Sequence, residues 1–160
     1  MAPVSLTPPL EVLRLNFLAL WNNNAVGSYS FLITPSADGR QMTVSHTFLI
    51  RVKIAFVTMF RYEHRVEEVW RDGQLQRLTS ETVDADGTIS VRGARAGQVL
   101  RIEGPLGLSE APADMLTTTC AWHPAFTQQK GVVDVSDGRV VDLVVRSLGE
   151  TMVKSDGDDV

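Results

Sequence analysis

The chain has 160 residues, 44% of them hydrophobic and 21% charged, which is enough apolar side chain for a buried core and too little charge for a disordered polyelectrolyte. Nineteen acidic against fifteen basic residues leave a net charge of −4, which argues against a partner held by its phosphate backbone, so no nucleic acid is expected. The single cysteine, Cys120, excludes an internal disulfide and a thiolate metal cage, and His46, His64 and His123 are too scattered for a metal triad; no metal or cofactor is expected.

At the N-terminus, the apolar run 12–21 contains Arg14 and Asn16 and is about half the ~20 residues that a membrane helix needs, so no membrane span is predicted. Met1-Ala2-Pro3 offers no basic region ahead of that run. The expected compartment is therefore periplasmic if a leader has been removed and cytoplasmic otherwise.

Turn signals then recur along the chain: Asn22-Asn23-Asn24, Asp38-Gly39, Asp72-Gly73, Asp86-Gly87, Ala96-Gly97, Asp137-Gly138 and Asp156-Gly157. Between them lie runs rich in Val, Ile, Thr, Phe and Tyr, several alternating with period two. They predict strands at 13–21, 27–33, 42–54, 59–70, 75–82, 88–92, 99–103, 132–135 and 139–148. A short helical or irregular segment is expected over 111–122, where Pro112 and Thr117-Thr118-Thr119 break any period, and an acidic frayed tail over 154–160. The fold class is all-β: one domain over 1–160, an antiparallel meander bent into a strongly curved sheet, half-barrel or barrel, because the two longest strands favour coiling.

The stretch with most chemistry is 60–73. As a strand it places Phe60, Tyr62, His64, Val66, Glu68 and Trp70 on one face, and Arg61, Glu63, Arg65 and Glu67 on the other. The second set suits a solvated face with cross-strand ion pairs. The first reads as an interior wall in which His64 and Glu68, with Cα atoms roughly 13 Å apart, each need a partner from elsewhere. They either line a pocket or are structural residues, His64 bonded to a hydroxyl or backbone group and Glu68 paired with an arginine. His46, alternating with Met42, Val44, Phe48, Ile50 and Val52, faces inward too and reads as a bonded core histidine.

Cys120 and His123 lie near each other in sequence, but a reactive thiol needs imidazole contact that spacing alone does not provide, so Cys120 reads as a small buried residue. Trp122-His123-Pro124 reads as a lid or plug. Gly104-Pro105-Leu106-Gly107 lacks the spacing of a phosphate loop, and Asp84-Ala85-Asp86-Gly87 is a turn and not a calcium loop.

Arg61-Tyr62-Glu63-His64, Glu68-x-Trp70-x-Asp72-Gly73-x-Leu75, Thr79-x-Glu81-Thr82, Asp86-Gly87, Thr119-x-x-Trp122-x-Pro124 and Leu148-Gly149-Glu150 together resemble a bacterial family of uncharacterised, usually exported β-rich proteins. The resemblance covers most of 21–150 and implies a long-stranded curved sheet similar to periplasmic lipid-handling half-barrels. Family members usually carry a leader and continue with further strands, whereas this sequence shows no leader and runs ten residues past Glu150.

Three functions follow as expectations. The first is a binding module for an apolar or amphipathic small molecule, held against Phe60, Tyr62, His64, Glu68, Trp70 and Trp122. The second is an isomerase- or cyclase-type enzyme with His64 as acid or base, oriented with its substrate by Tyr62 and Glu68. The third is an interaction protein, with a homodimer as one form, pairing through an open sheet edge.

Overall fold

The protein is described by a computed structural model covering residues 11–54 and 57–150; the acidic stretch 154–160 lies outside the described residues. Eight strands follow one another in a single antiparallel sheet whose spatial order is the chain order. They are β1 (Leu13–Trp21), β2 (Asn24–Pro35), β3 (Gln41–Ile54), β4 (Val57–Arg71), β5 (Gln74–Val83), β6 (Thr88–Ala96), β7 (Val99–Gly104) and β8 (Gly107–Pro112).

The turns explain the meander. Asn22 and Asn23 have φ of 48° and 65°, and Asp72 and Gly73 have 49° and 73°. Positive φ at both central residues is the two-residue turn whose twist matches that of the flanking strands. Asn, Asp and Gly tolerate it best.

The sheet is curved but open. β1 and β8 are its two edges and do not pair with each other, so the barrel among the expected forms is not the one adopted. β8 itself was not predicted: Gly-Leu-Ser-Glu-Ala-Pro carries little intrinsic strand preference and forms on the edge that β7 offers. The expected strand over 139–148 shortens to β10 (Val140–Asp142), paired only with β9 (Gly131–Val133). Beyond it Val144 and Leu148 are exposed and have no core to enter.

Residues 113–142 lie over the buried face of the sheet. They hold two single 3-10 turns, Cys120–Trp122 and Phe126–Gln128, and the β9–β10 pair, so that 113–122 is the irregular stretch with one short helical turn that the sequence leads one to expect. Leu116, Cys120, Val133 and Val135 from this segment pack with Val44, Val66, Leu78, Val91, Leu100 and Ile102 of the sheet to make the core. Backbone bonds tie its start to the sheet, with Ala113 N donating to Gln98 O at 3.0 Å.

The ladders set which residues share a face. Tyr29, Phe48, His64 and Thr82 stand side by side across β2–β5, and Phe31, His46, Val66 and Ser80 form the next row. On the opposite face Glu63 takes Arg61 at 3.3 Å and also meets Arg65. These pairs run along β4, not between strands, because residues two apart on a strand project to the same side.

The ladders also differ in length. β2 meets β3 only as far as Ile50, and β5 meets β4 only from Glu63 onward. Residues 51–54 and 57–62 therefore extend as a two-stranded arm beyond the rest of the sheet.

Gly27 pairs with Ile50 where β1 and β2 shift register, and a Cβ on it would lie 1.9 Å from the Leu49 carbonyl oxygen. Gly27→Ala is expected to destabilise the fold by ~2 kcal/mol or more, since backbone must move; the midpoint of urea unfolding measures this.

Candidate functional site

Two groups of side chains stand on the buried face, one beneath the covering segment and one beside it. The first centres on Glu68, which lies towards the C-terminal end of β4 and is 0% exposed. The Thr117 and Thr119 hydroxyls donate to its Oε1 at 2.5 and 2.8 Å, and Trp70 Nε1 donates to Oε2 at 3.1 Å. Cys120 Sγ lies 3.5 Å from Oε2 and 3.1 Å from Thr117 Oγ1. The covering segment is held in turn by Thr118 N to Val133 O at 2.9 Å and by Val133 N to Leu116 O at 2.8 Å.

Burial pushes the Glu68 carboxyl above its ordinary value of 4.5, and the hydrogen bonds from Thr117, Thr119, Trp70 and Cys120 oppose that shift without cancelling it. The same neighbours serve the neutral acid, with Glu68 then donating to a threonine hydroxyl. Burial, and after it the adjacent Glu68, push the Cys120 thiol well above its usual range, so it stays protonated and unreactive. His123 does not engage it: Nδ1 accepts from Ala125 N at 3.1 Å and the ring stacks on Trp70 at 5.4 Å.

The second group is aromatic and reaches beyond the covering segment. Phe17, Tyr29, Phe48 and Tyr62 form a ring-to-ring strip from β1 to β4, with successive centroids 5.8, 6.2 and 6.0 Å apart. Phe17 is exposed, and Tyr29, Phe48 and Tyr62 are half-buried. Tyr62 stacks on His64 at 6.1 Å, and Phe31 leads from His46 to Trp122. Polar groups interrupt this strip at its inner border. Tyr29 Oη and His46 Nδ1 share a hydrogen bond of 2.6 Å, as do His64 Nδ1 and Thr82 Oγ1 at 2.7 Å. Among the described residues four buried polar atoms, His46 Nε2, Ser80 Oγ, Trp122 Nε1 and His123 Nε2, have no partner.

The histidines at that border carry no charge. Desolvation lowers the His46 pKa to about 4 with help from His64, and burial lowers His64 despite the opposing charge of Asp134. Both imidazoles are neutral at pH 7. Burial raises the Tyr29 phenol, and Glu68 adds to that, so it too is uncharged.

The residues singled out from sequence thus fall into two places. Tyr62 and His64 join the aromatic strip, and Phe60 lies on the two-stranded arm, 45% exposed. Glu68 and Trp70 lie under the covering segment, where Trp122 packs edge-on against Trp70 at 5.5 Å. Glu68 pairs with hydroxyls, an indole and a thiol, not with an arginine. Its hydrogen bonds do not go to His64, so Tyr62, His64 and Glu68 are not assembled as one hydrogen-bonded trio. Phe17, Tyr29, Thr117 and Thr119 were not singled out as site residues. Alternation in 27–33 puts Tyr29 on the face of Phe31, but only the strand register brings it to Phe48. Other hollows exist: one of about 430 Å³ lies on the opposite, polar face between Thr47, Arg65, Thr79 and Arg92. Another of about 380 Å³ lies at the end of the sheet by Trp70, Arg95, Met115 and His123.

An open eight-stranded meander with one face half covered by its own C-terminal segment defines an all-β protein with a partly exposed aromatic wall. Residues 17–160 match the domain of unknown function DUF6134, and the chain belongs to that family. No curated protein matches the chain, and no solved structure does.

The two kinds of buried group titrate in opposite senses. His46 is neutral when folded and protonates near 6.5 when unfolded, so its share of stability is lost as pH falls from about 6.5 towards 4. Glu68 holds its proton more tightly when folded than when unfolded, where it titrates near 4.5, so its share declines as pH rises above 4.5 through the raised folded value. Unfolding measured from pH 4 to 8 is expected to show His46→Gln flattening the acid side and Glu68→Gln flattening the decline attributed to the carboxyl. Glu68→Ala, which strands two hydroxyls and an indole, is expected to cost ~3 kcal/mol or more.

Proposed function

We propose that the protein binds an apolar or amphipathic small molecule on the inner face of its curved sheet, along the strip Phe17–Tyr29–Phe48–Tyr62. The observation that carries this reading is the strip itself: four rings in mutual contact on the face that elsewhere forms the core, left uncovered where the 113–142 segment stops. Each ring pair stabilises the sheet by ~0.5–1.5 kcal/mol, and a partly exposed wall of this kind beside a few orienting polar groups is also how ligand sites are built. Here those groups are the Tyr29–His46 and His64–Thr82 pairs at its inner border. Similarity to exported, lipid-handling half-barrels belongs to the same proposal, with the apolar chain on the rings and the polar end at the imidazoles.

Acid–base catalysis at His64 has less support. The Thr82 hydroxyl occupies Nδ1, and Glu68, needed to orient the ring or the substrate, is committed to the covering segment.

The test is titration with N-phenyl-1-naphthylamine, a neutral probe that brightens in apolar sites, followed by displacement with dodecanol and laurate. Saturable binding is expected, with Phe48→Ala and Tyr62→Ala each weakening it about tenfold, the ~1.4 kcal/mol that loss of one contacting ring removes. Absence of saturable binding by the folded protein, or unchanged affinity in both variants, would refute the proposal.

A further inference from the structure

The two edges of the sheet are built differently. β8 is six residues long, carries Glu110 paired with Arg101 at 3.2 Å, and ends in Pro112, which lacks an N–H. Short length, charge and proline are the devices by which a sheet edge avoids pairing with another chain. β1 is far less protected: nine residues, Leu-Arg-Leu-Asn-Phe-Leu-Ala-Leu-Trp, with no proline and a single charge, Arg14. It is also apolar on both sides. Leu13, Leu15 and Phe17 lie on the inner face and Leu18 and Leu20 on the other, and these side chains together with Trp21 are 42–72% exposed. Summed over both sides of the strand, their exposed area is on the order of 700 Å², close to the ~800 Å² per partner of a standard interface.

We propose that β1 pairs with β1 of a second copy of this chain, antiparallel and centred on Phe17, to form a continuous sixteen-stranded sheet in a homodimer. The charge pattern selects the direction. Parallel pairing in register would set Arg14 beside its own copy. Antiparallel pairing about Phe17 sets it opposite Leu20 and holds the two guanidinium-bearing positions six residues apart, roughly 20 Å and beyond the ~8 Å screening length at physiological salt. Centring on Phe17 also pairs all nine residues of β1, with Leu13 opposite Trp21 and Leu15 opposite Ala19. A two-fold axis through Phe17 and normal to the sheet keeps both buried faces on one side. The aromatic strip then continues through Phe17 into that of the second copy. Pairing of β1 with β1 requires no ligand.

Sedimentation velocity of the full chain between 1 and 100 µM tests it, with disulfide trapping as the register test. The expected result is a concentration-dependent dimer that Phe17→Lys and Leu15→Lys each shift to monomer by tenfold or more in dissociation constant, with unchanged far-ultraviolet circular dichroism. Directly opposed residues in an antiparallel ladder have Cα atoms about 4.5–5.5 Å apart, within disulfide range. Phe17→Cys should therefore cross-link under mild copper–phenanthroline oxidation, Leu13→Cys alone should not, and Leu13→Cys with Trp21→Cys should. The wild-type chain is the control, its buried Cys120 remaining unlinked. A monomer at 100 µM overturns the proposal. If β1 amides are then protected from hydrogen exchange, another segment of the same chain occupies the edge. Equal cross-linking of Phe17→Cys and Leu13→Cys overturns the antiparallel register.

Discussion

A carboxyl group that is fully buried and hydrogen-bonded to neutral partners decides how this molecule is assembled. The 113–142 segment has little to hold itself in shape: two three-residue 3-10 turns and a pair of three-residue strands are below the length at which such elements persist alone. Its apolar side chains supply attraction to the sheet, but apolar attraction is non-directional and would permit several placements. Glu68 removes that freedom. Trp70 bonds Oε2 from within β4, but Thr117, Thr119 and Cys120 meet the carboxyl together only when the covering segment lies in one register. A shift by a residue would part the two hydroxyls from the carboxyl and leave it the Trp70 indole alone, each buried polar group that loses its partner costing ~1–3 kcal/mol.

From that placement follows the division of the inner face. Where the segment lies, the face is core: Val44, Leu78 and Val133 are fully buried, and Trp70 sits beneath Trp122 and His123. Where it stops, the same face continues as the strip from Phe17 to Tyr62. The border between them is lined by histidines that desolvation keeps neutral. For the ligand proposed above, the neutral imidazoles bear on its chemical class. A carboxylate or phosphate head would lose hydration there without gaining an ion pair, while a hydroxyl or carbonyl would lose less and could still meet imidazole or indole nitrogen.

Much of the sheet was legible because its determinants are local. Alternation in 13–21 and the asparagines after it place β1 with its observed bounds, and Asp72-Gly73 announces the β4–β5 turn. β8 was not legible, since Gly-Leu-Ser-Glu-Ala-Pro becomes a strand through the neighbour it meets and not through its own composition. The 139–148 run shows the converse: valines alternate there, but only three residues find a partner. At the candidate site, facing was readable for Tyr62, His64, Glu68 and Trp70, but partners were not. Glu68 meets residues 49 to 52 positions away, and Tyr29 meets Phe48 only through the β2–β3 register.

Why the strip exists at all is a matter of unequal strands. β3 and β4 are 14 and 15 residues long, and β7 and β8 are six each. At ~3.3 Å per residue the long pair spans about 50 Å and the short pair about 20 Å. Closing a sheet into a barrel needs strand lengths, tilt and stagger that agree around the ring. A sheet that tapers this steeply cannot meet that condition, and its short end is finished by laying the chain's own C-terminal segment across it. That segment covers only what the short strands reach. The ends of β2, β3 and β4 therefore project past it, carrying Tyr29, Phe48 and Tyr62 out of the core but still on the core's face. Lengthening β7 and β8 would extend the core over these rings and remove the strip. On this argument the exposed aromatic wall follows from strand length, not from a misplaced hydrophobic surface.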